Sequence, residues 1–287
     1  MCIVCKWNSG EEKLDLNIEI LYCMYCTALT SIPVLPKLKY LDCTYCTALI
    51  SIPAMPELET LNCSNCTSLT SISVLPNLKE LYCTGCTDLT SIPVIGELKI
   101  LSCWGCTSLT SIPTLPELKE LYCQRCTALT AIPVMPELTD LNCNICTSLT
   151  SIFVLPKLKE LHCKYCITLT SIPTSTELKE LYCSGCTSLT HIPLLLKLTE
   201  LSCTDCTSLT IIPPFPILEK LFCEGCTSLT SIPALPLLKL LYCIGCKWIK
   251  QCYDFDSNIR ALHTCQAIFK RKLTARKLER VIPVITE

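Results

Sequence analysis

Apolar residues recur along this chain with a period of twenty. Leucine stands at positions 21, 41, 61, 81, 101, 121, 141, 161, 181, 201, 221 and 241, twelve copies without insertion. One copy, residues 118–137, reads LKELYCQRCTALTAIPVMPE, and the general form is L-x-x-L-x-C-x-x-C-x-x-L-x-x-I-P-x-L-P-x. Apolar side chains fall at the same seven offsets of each copy. A unit this short cannot bury such a face alone, whereas stacking each unit on the next does, so the pattern predicts a solenoid. Within the unit, Glu120-Leu121-Tyr122-Cys123-Gln124 alternates polar and apolar with period two. That predicts a short strand with Leu121 and Cys123 facing inward. Strands of successive units then lie in register and parallel, about 4.8 Å apart, in an arc on the order of 55 Å long. The other half of the unit carries Ile-Pro-x-x-Pro, as in Ile132-Pro133-Val134-Met135-Pro136. Proline at both positions argues against an α-helix and predicts an extended, polyproline-like convex side.

The run L-x-x-L-x-C-x-x-C-x-x-L resembles the conserved segment of leucine-rich repeats, with Cys where Leu and Asn usually stand. The twenty-residue length and the I-P-x-L-P ending are similar to the short repeats of bacterial effector proteins. The cysteine-rich version, together with the tail described below, looks closest to leucine-rich repeat proteins of amoeba-infecting giant viruses. The resemblance covers residues 14 to 246. It implies a leucine-rich repeat solenoid with short parallel β-strands on the concave face and a C-terminal helical cap. The expected organisation is an N-terminal cap at 1–20, twelve repeats at 21–246, and a basic helical cap or tail at 247–287. In the first segment, Met1 to Cys5 and Trp7 are expected to cover the first core layer, with Ile18 already in register.

Cysteine changes this picture most. There are 28, with one C-x-x-C pair per repeat from Cys23/Cys26 to Cys243/Cys246, and Cys2, Cys5, Cys252 and Cys265 besides. Sixteen residues separate successive pairs, which is zinc-ribbon spacing and taken literally gives up to six zinc sites. Zinc ligands must converge tetrahedrally, however, and here each cysteine lies on its own parallel column. Cysteine is also among the most buried residue types and packs as a small hydrophobe. The expectation is therefore a core of thiols with no metal and no cofactor. The second cysteine of each pair, as at Cys46, Cys66 and Cys86, takes the place where the resemblance puts a turn-binding Asn. A thiol is a weaker donor for that task. Disulfides between stacked repeats fit poorly, because in-register Cβ atoms about 4.8 Å apart exceed the usual disulfide separation of about 3.8 Å. Residues 1–20 hold Glu11, Glu12, Asp15 and Glu19 and show no secretory signal. So many thiols then point to a reducing intracellular compartment, and the resemblance makes that host cytoplasm, or the virion.

Function is expected on outward strand positions, since the core is common to the repeat class. The middle outward column reads Tyr22, Asp42, Asn62, Tyr82, Ser102, Tyr122, Asn142, His162, Tyr182, Ser202, Phe222, Tyr242. The column before it carries Glu80, Glu120, Asp140, Glu160, Glu180 and Glu200, beside Lys79, Lys119, Lys159 and Lys179. The column after it adds Trp104, Lys164, Thr204 and Glu224. One reading is a concave face with aromatic anchors in an acidic stripe, suited to a protein partner of basic character. The other is that Tyr fills strand positions by β-propensity while Glu and Lys are solvated charges. The candidate partner-binding residues are Tyr82, Trp104, Tyr122, Arg125, His162, Lys164, Tyr165, Tyr182 and Phe222. Trp104, Arg125, His162, Lys164 and Tyr165 depart from the repeat consensus in the middle repeats.

The repeat stops after Cys246. Residues 247–287 hold nine Lys or Arg against four Asp or Glu, a net of +5 that leaves −6 for the 246 residues before them. Asp256 or Ser257 can cap a helix starting near Asn258, with Ile259, Leu262, Phe269, Leu273 and Leu278 at roughly helical spacing. Lys270, Arg271, Lys272, Arg276, Lys277 and Arg280 cover the rest. One reading is a cap over the last core layer, helped by Trp248 and Ile249. The other is a basic amphipathic helix that contacts a calmodulin-like protein, nucleic acid or an anionic surface. Residues 265–276 are similar to an IQ motif, with Cys265 at the leading aliphatic position and Lys270 at the first Arg.

Overall composition narrows the function. Half of the residues are hydrophobic, 17% are charged and the net charge is −1, which excludes a disordered chain and a bulk nucleic-acid coat. No apolar run approaches the 18 or so residues of a membrane span. There is no HExxH, P-loop, GxSxG or GxGxxG. Cys252-Tyr253-Asp254 matches the Cys-x-Asp nucleophile motif of effector ubiquitin ligases, but 41 residues are too few for that domain, and residues 1–20 are too short for an F-box-like adaptor. The expected function is a non-catalytic scaffold that binds a partner protein, and no small-molecule substrate, through its concave face. The alternatives are a structural or assembly component of a viral particle or factory, and a ubiquitin-ligase-type substrate receptor or effector.

Overall fold

The computed structural model describes residues 2–11 and 13–246. Twelve three-residue strands, one per copy of the unit from Ile20–Tyr22 to Leu240–Tyr242, form one parallel sheet in sequence order. Each residue pairs with the one twenty further on: Leu121 with Leu141, Tyr122 with Asn142, and Asn142 with His162. The chain is thus a parallel-strand β-solenoid with one strand to each coil.

Seven columns fill the interior. In one coil Leu121, Cys123, Cys126, Leu129, Ile132, Met135 and Leu138 are all fully buried, and the same offsets are buried along the whole array. The cysteines from Cys23 to Cys226 are buried thiols, not disulfides. The two cysteine columns differ in role. The second thiol of each pair donates to the backbone carbonyl of the first cysteine in the preceding coil, 23 residues back. Eleven such bonds at 3.0–3.1 Å run from Cys46→Cys23 to Cys246→Cys223. The weak donor expected from sequence is therefore in use in every coil from the second onward.

Each strand ends because the chain turns inside the C-x-x-C pair. Ladder hydrogen bonds continue through the first cysteine and the turn, as in Cys123 N–H to Asn142 O and Arg125 N–H to Asn144 O, both 2.8 Å. The residue just before the second cysteine is left-handed in all twelve coils, from φ 57° at Arg125 to 80° at Gly245. Five of these twelve are glycine, which adopts that region without steric penalty.

Among the described residues the return half contains no helix. It differs from the polyproline expectation where neighbouring coils pair: single parallel bridges join Ser91 to Ser111 and Ser171 to His191, and two-residue strands form at two places, Ser51–Ile52 with Ser71–Ile72 and Ala131–Ile132 with Ser151–Ile152. Both are coils in which Ser73 or Phe153 replaces the first proline. The N–H that proline lacks is restored there, and it donates to Ile52 O and Ile132 O at 3.0 Å.

At the start, a short helix, Ile3–Asn8, lies on the first coil. Val4, Cys5 and Leu14 join the core, and Cys2, Trp7 and Ile18 pack against it. The C-terminal helical cap or tail, including Lys270, Arg271, Lys272, Arg276, Lys277, Arg280 and the IQ-like stretch, lies outside the described residues. Among the described residues, no helix is long and apolar enough to cross a membrane.

Candidate functional site

Alternation along each strand puts Leu and Cys inside, so the residues flanking the buried Leu share the outer face of the long sheet. Acid and aromatic residues two apart on one strand are tied together there. Tyr82, Tyr122 and Tyr182 donate their hydroxyls to Glu80, Glu120 and Glu180 at 3.2, 3.0 and 2.8 Å. His162 Nε2 meets Glu160 Oε1 at 2.5 Å. Burial and the Glu120 bond push the Tyr122 hydroxyl up to about 12, and Tyr182 is raised further by the same causes, so both remain donors at physiological pH. The His162 ring stacks on Tyr182 with centroids 4.6 Å apart, and Lys164 Nζ lies 5.3 Å from the centroid of the Tyr182 ring. Phe222 stacks on Tyr242 at 5.1 Å.

Asn142 interrupts this aromatic column. It lies between Tyr122 and His162 in register, and its short side chain leaves a notch of about 120 Å³ lined by Tyr122, Asp140, Leu141, Asn142, Glu160 and His162. The notch sits within five successive carboxylates, Glu120, Asp140, Glu160, Glu180 and Glu200. Neighbours in that row are about one strand spacing apart, which sets repulsion on the order of 1 kcal/mol per adjacent pair in solvent. Glu200 is paired with Lys220 at 2.8 Å, but among the described residues no Lys or Arg pairs with the other four. In the same coil as Tyr122, Gln124 Oε1 is buried and has no hydrogen-bond partner among the described residues.

The turns that follow these strands are conformationally expensive. Arg125, Ile145 and Tyr165 hold the left-handed turn position in three consecutive coils, at φ 57°, 63° and 59°, as Tyr25, Tyr45, Asn65 and Asp205 do elsewhere, while the remaining five coils use glycine. A β-branched residue such as Ile145 is a real outlier in that region. The Tyr165 ring lies across Gly185, where an added Cβ would collide with it.

The sequence-predicted residues therefore divide. Tyr82, Tyr122, His162, Tyr182 and Phe222 are strand residues of one column. Trp104, Arg125, Lys164 and Tyr165 are turn residues beyond the strand ends, bordering the face. The structure brings Tyr122, Arg125, His162, Lys164, Tyr165 and Tyr182 into neighbouring coils, with Trp104 in the coil just before Tyr122, while Tyr82 and Phe222 lie further along the array. Sequence reasoning missed Asn142 as the gap and Ile145 as a left-handed turn residue. The available signals were a small residue in an aromatic column and a β-branched residue at the position that Gly85, Gly105, Gly185, Gly225 and Gly245 occupy. His162 forms no nucleophile pair with the adjacent cysteine, because Cys163 is fully buried on the opposite side of the strand.

A second recess, about 430 Å³, opens on the return side between Val154, Pro156, Ser175, Leu194 and Leu196. It is a packing defect. Ser175 stands in the core column held elsewhere by Leu155, Leu195 or Phe215, and its hydroxyl binds Leu158 O at 3.0 Å.

Fold and face together define a solenoid of leucine-rich twenty-residue coils with a thiol-lined core. Residues 56–96 match a family model described as Leucine Rich repeats (2 copies). A comparison with curated proteins found no match. Among solved structures, the chain is similar to a leucine-rich repeat protein from Bacteroides ovatus ATCC 8483. The identity is 19%, with 78% of each chain covered and a TM-score of 0.39.

Proposed function

We propose that this chain is a non-catalytic interaction scaffold whose long-sheet face takes a basic segment of a partner protein, with a Lys or Arg side chain entering the notch between Tyr122 and His162. The observation that carries this reading is the notch itself: an aromatic-walled gap in a row of five carboxylates of which, among the described residues, only Glu200 pairs with a Lys or Arg. A cation there gains the fields of Asp140 and Glu160 and the ring faces of its walls.

The ladder of eleven thiol donors requires reduced cysteine, which supports work in a reducing compartment. The cysteine-rich repeat supports placing that compartment in the cytoplasm of an infected host cell. A role as a virion component rests on the same resemblance, and one as a ligase receptor on the likeness to the short repeats of bacterial effector proteins.

The test uses the whole chain and a set of peptides carrying Lys, Arg or neither, read by fluorescence anisotropy. Asn142→Tyr restores the residue found at Tyr122 and Tyr182, so it keeps the strand intact while filling the notch. Basic peptides should bind, more weakly at high salt, and Asn142→Tyr or His162→Ala should reduce affinity by at least about tenfold, equivalent to 1.4 kcal/mol. Equal binding of neutral and basic peptides, or full affinity in Asn142→Tyr, contradicts the proposal.

A further inference from the structure

The thiol ladder has a first rung that differs from the rest. From Cys46 onward, each second-column thiol donates to a carbonyl 23 residues back. Cys26 has no preceding coil. Its sulfur instead lies 3.0 Å from the sulfur of Cys5, which the Ile3–Asn8 helix carries onto the end of the core. Cys2, just ahead of that helix, completes a group of three sulfurs that all lie within 4.8 Å of one another. Cys5 and Cys26 are buried, and Cys2 is half-buried.

Three converging thiols are what the interior columns lack. The argument against metal along the array is that each cysteine stays on its own column. It fails at this end, where chain from outside the repeat crosses the columns. We propose that Cys2, Cys5 and Cys26 form a binding site for a thiophilic d10 metal ion, Zn²⁺ or Cu⁺, which fastens the N-terminal helix to the first coil. Tetrahedral Zn–S bonds of about 2.3 Å place sulfurs roughly 3.8 Å apart. The 3.0 Å pair then opens by about 1 Å or less, and the other two separations, each within 4.8 Å, need close by no more than about 1 Å. The spacing agrees: Cys2-x-x-Cys5 and Cys23-x-x-Cys26 are two C-x-x-C pairs separated by seventeen residues, inside the zinc-ribbon window. Cys23 stays in the first-cysteine column, and its carbonyl accepts the Cys46 thiol. The protein therefore supplies three ligands, and the half-buried side at Cys2 gives the ion its entry and a solvent ligand its place. Each thiol releases its proton to solvent as its sulfur becomes a thiolate ligand, so the ion's charge replaces up to three protons.

The test uses the full chain, reduced and stripped of metal, then titrated with Zn²⁺ alone and, under anaerobic conditions, with Cu⁺ alone. Bound metal is measured by mass spectrometry of the native protein, and affinity by competition with a chromophoric chelator. One equivalent should bind, and the arm with the higher affinity identifies the ion. Cys2→Ser and Cys5→Ser should weaken binding by more than about tenfold, since even outer-shell partners are worth that much. Cys2→Ser is the milder change because that side chain is half-exposed, and circular dichroism verifies that the coil array is retained. Cys126→Ser, the same substitution inside the ladder, should leave binding unchanged. Failure to bind either ion, or equal binding by the folded Cys2→Ser and parent chains, overturns the site. So does recovery of the reduced, metal-treated chain with a Cys5–Cys26 disulfide in place of metal.

Discussion

The thiol of Cys126 donates to the backbone carbonyl of Cys103 at 3.1 Å, and the same carbonyl accepts the N–H of Cys106 at 3.2 Å. One bond closes a turn within a coil, and the other ties that coil to the next. The C-x-x-C pair is thus two devices. The first cysteine is a small apolar filler whose carbonyl is an acceptor, and the second is a filler whose sulfur is a donor. A buried carbonyl with both lone pairs engaged is well satisfied, and the interior stays dry without a side-chain amide.

Removing the donor tests this. Cys126→Ala should lower stability by about 1–2 kcal/mol, combining a lost hydrogen bond with a small cavity. Cys126→Val keeps volume but has no donor and should lose roughly 1 kcal/mol. The shift in urea midpoint under reducing conditions measures both, and a parent-like midpoint for Val would mean that the sulfur acts by packing alone.

The first-column thiols make stability depend on alkali. Contact with the second-column thiol, followed by burial, holds Cys63, Cys83, Cys103, Cys123, Cys143, Cys163, Cys183 and Cys203 well above their ordinary value near 9. In the unfolded chain these groups ionise near 9 while the folded chain keeps its protons, so the unfolded state binds fewer protons above that pH. Their contribution is complete below about pH 9 and is lost as pH rises beyond it, by up to about 1.4 kcal/mol per pH unit for each thiol. Thermal midpoints from pH 7 to 10.5 should be level and then fall steeply. A level profile throughout would show that the thiols ionise in place.

Two substitutions at the left-handed turn should act in opposite directions. Ile145→Gly removes a left-handed penalty of roughly 1–2 kcal/mol, partly offset by glycine's unfolded-state entropy, for a net gain of about 0.5–1 kcal/mol. Gly185→Ala adds that penalty and drives a Cβ into the Tyr165 ring, so it should lose about 1–2 kcal/mol. Chemical denaturation of the two variants beside the parent checks both signs.

Ser175 marks a place where the core is underfilled. Ser175→Leu restores the residue used at Leu155 and Leu195, and should raise stability by about 1 kcal/mol after the loss of the hydroxyl bond to Leu158 O is counted. The thermal midpoint reports it, and a fall would indicate that the recess collapses around serine and has no room for leucine.

Much of the fold was legible in residue order. The Leu121 period, the inward Cys123 and the proline-bearing return half each follow from patterns no longer than one coil. The short strand pairs were not legible, because they depend on Ser73 and Phe153 restoring an N–H opposite a carbonyl twenty residues away. The candidate face was half legible. Its aromatic and acidic columns could be read off, but Asn142 becomes a gap only when Tyr122 and His162 stand on either side of it. Arg125 and Tyr165 border that face as turn residues, because the turn inside each C-x-x-C pair carries them past the strand ends.

By itself, residue order determined that the chain coils every twenty residues and which side chains go inside, since burial at a fixed period is a local instruction repeated twelve times. Tertiary structure alone decided which sulfur meets which carbonyl, where the outer face opens into a notch, and that Cys2, Cys5 and Cys26 come together. These outcomes depend on how one coil sits against its neighbour, and at the first coil on a helix that belongs to no repeat, so no single period of the pattern contains them.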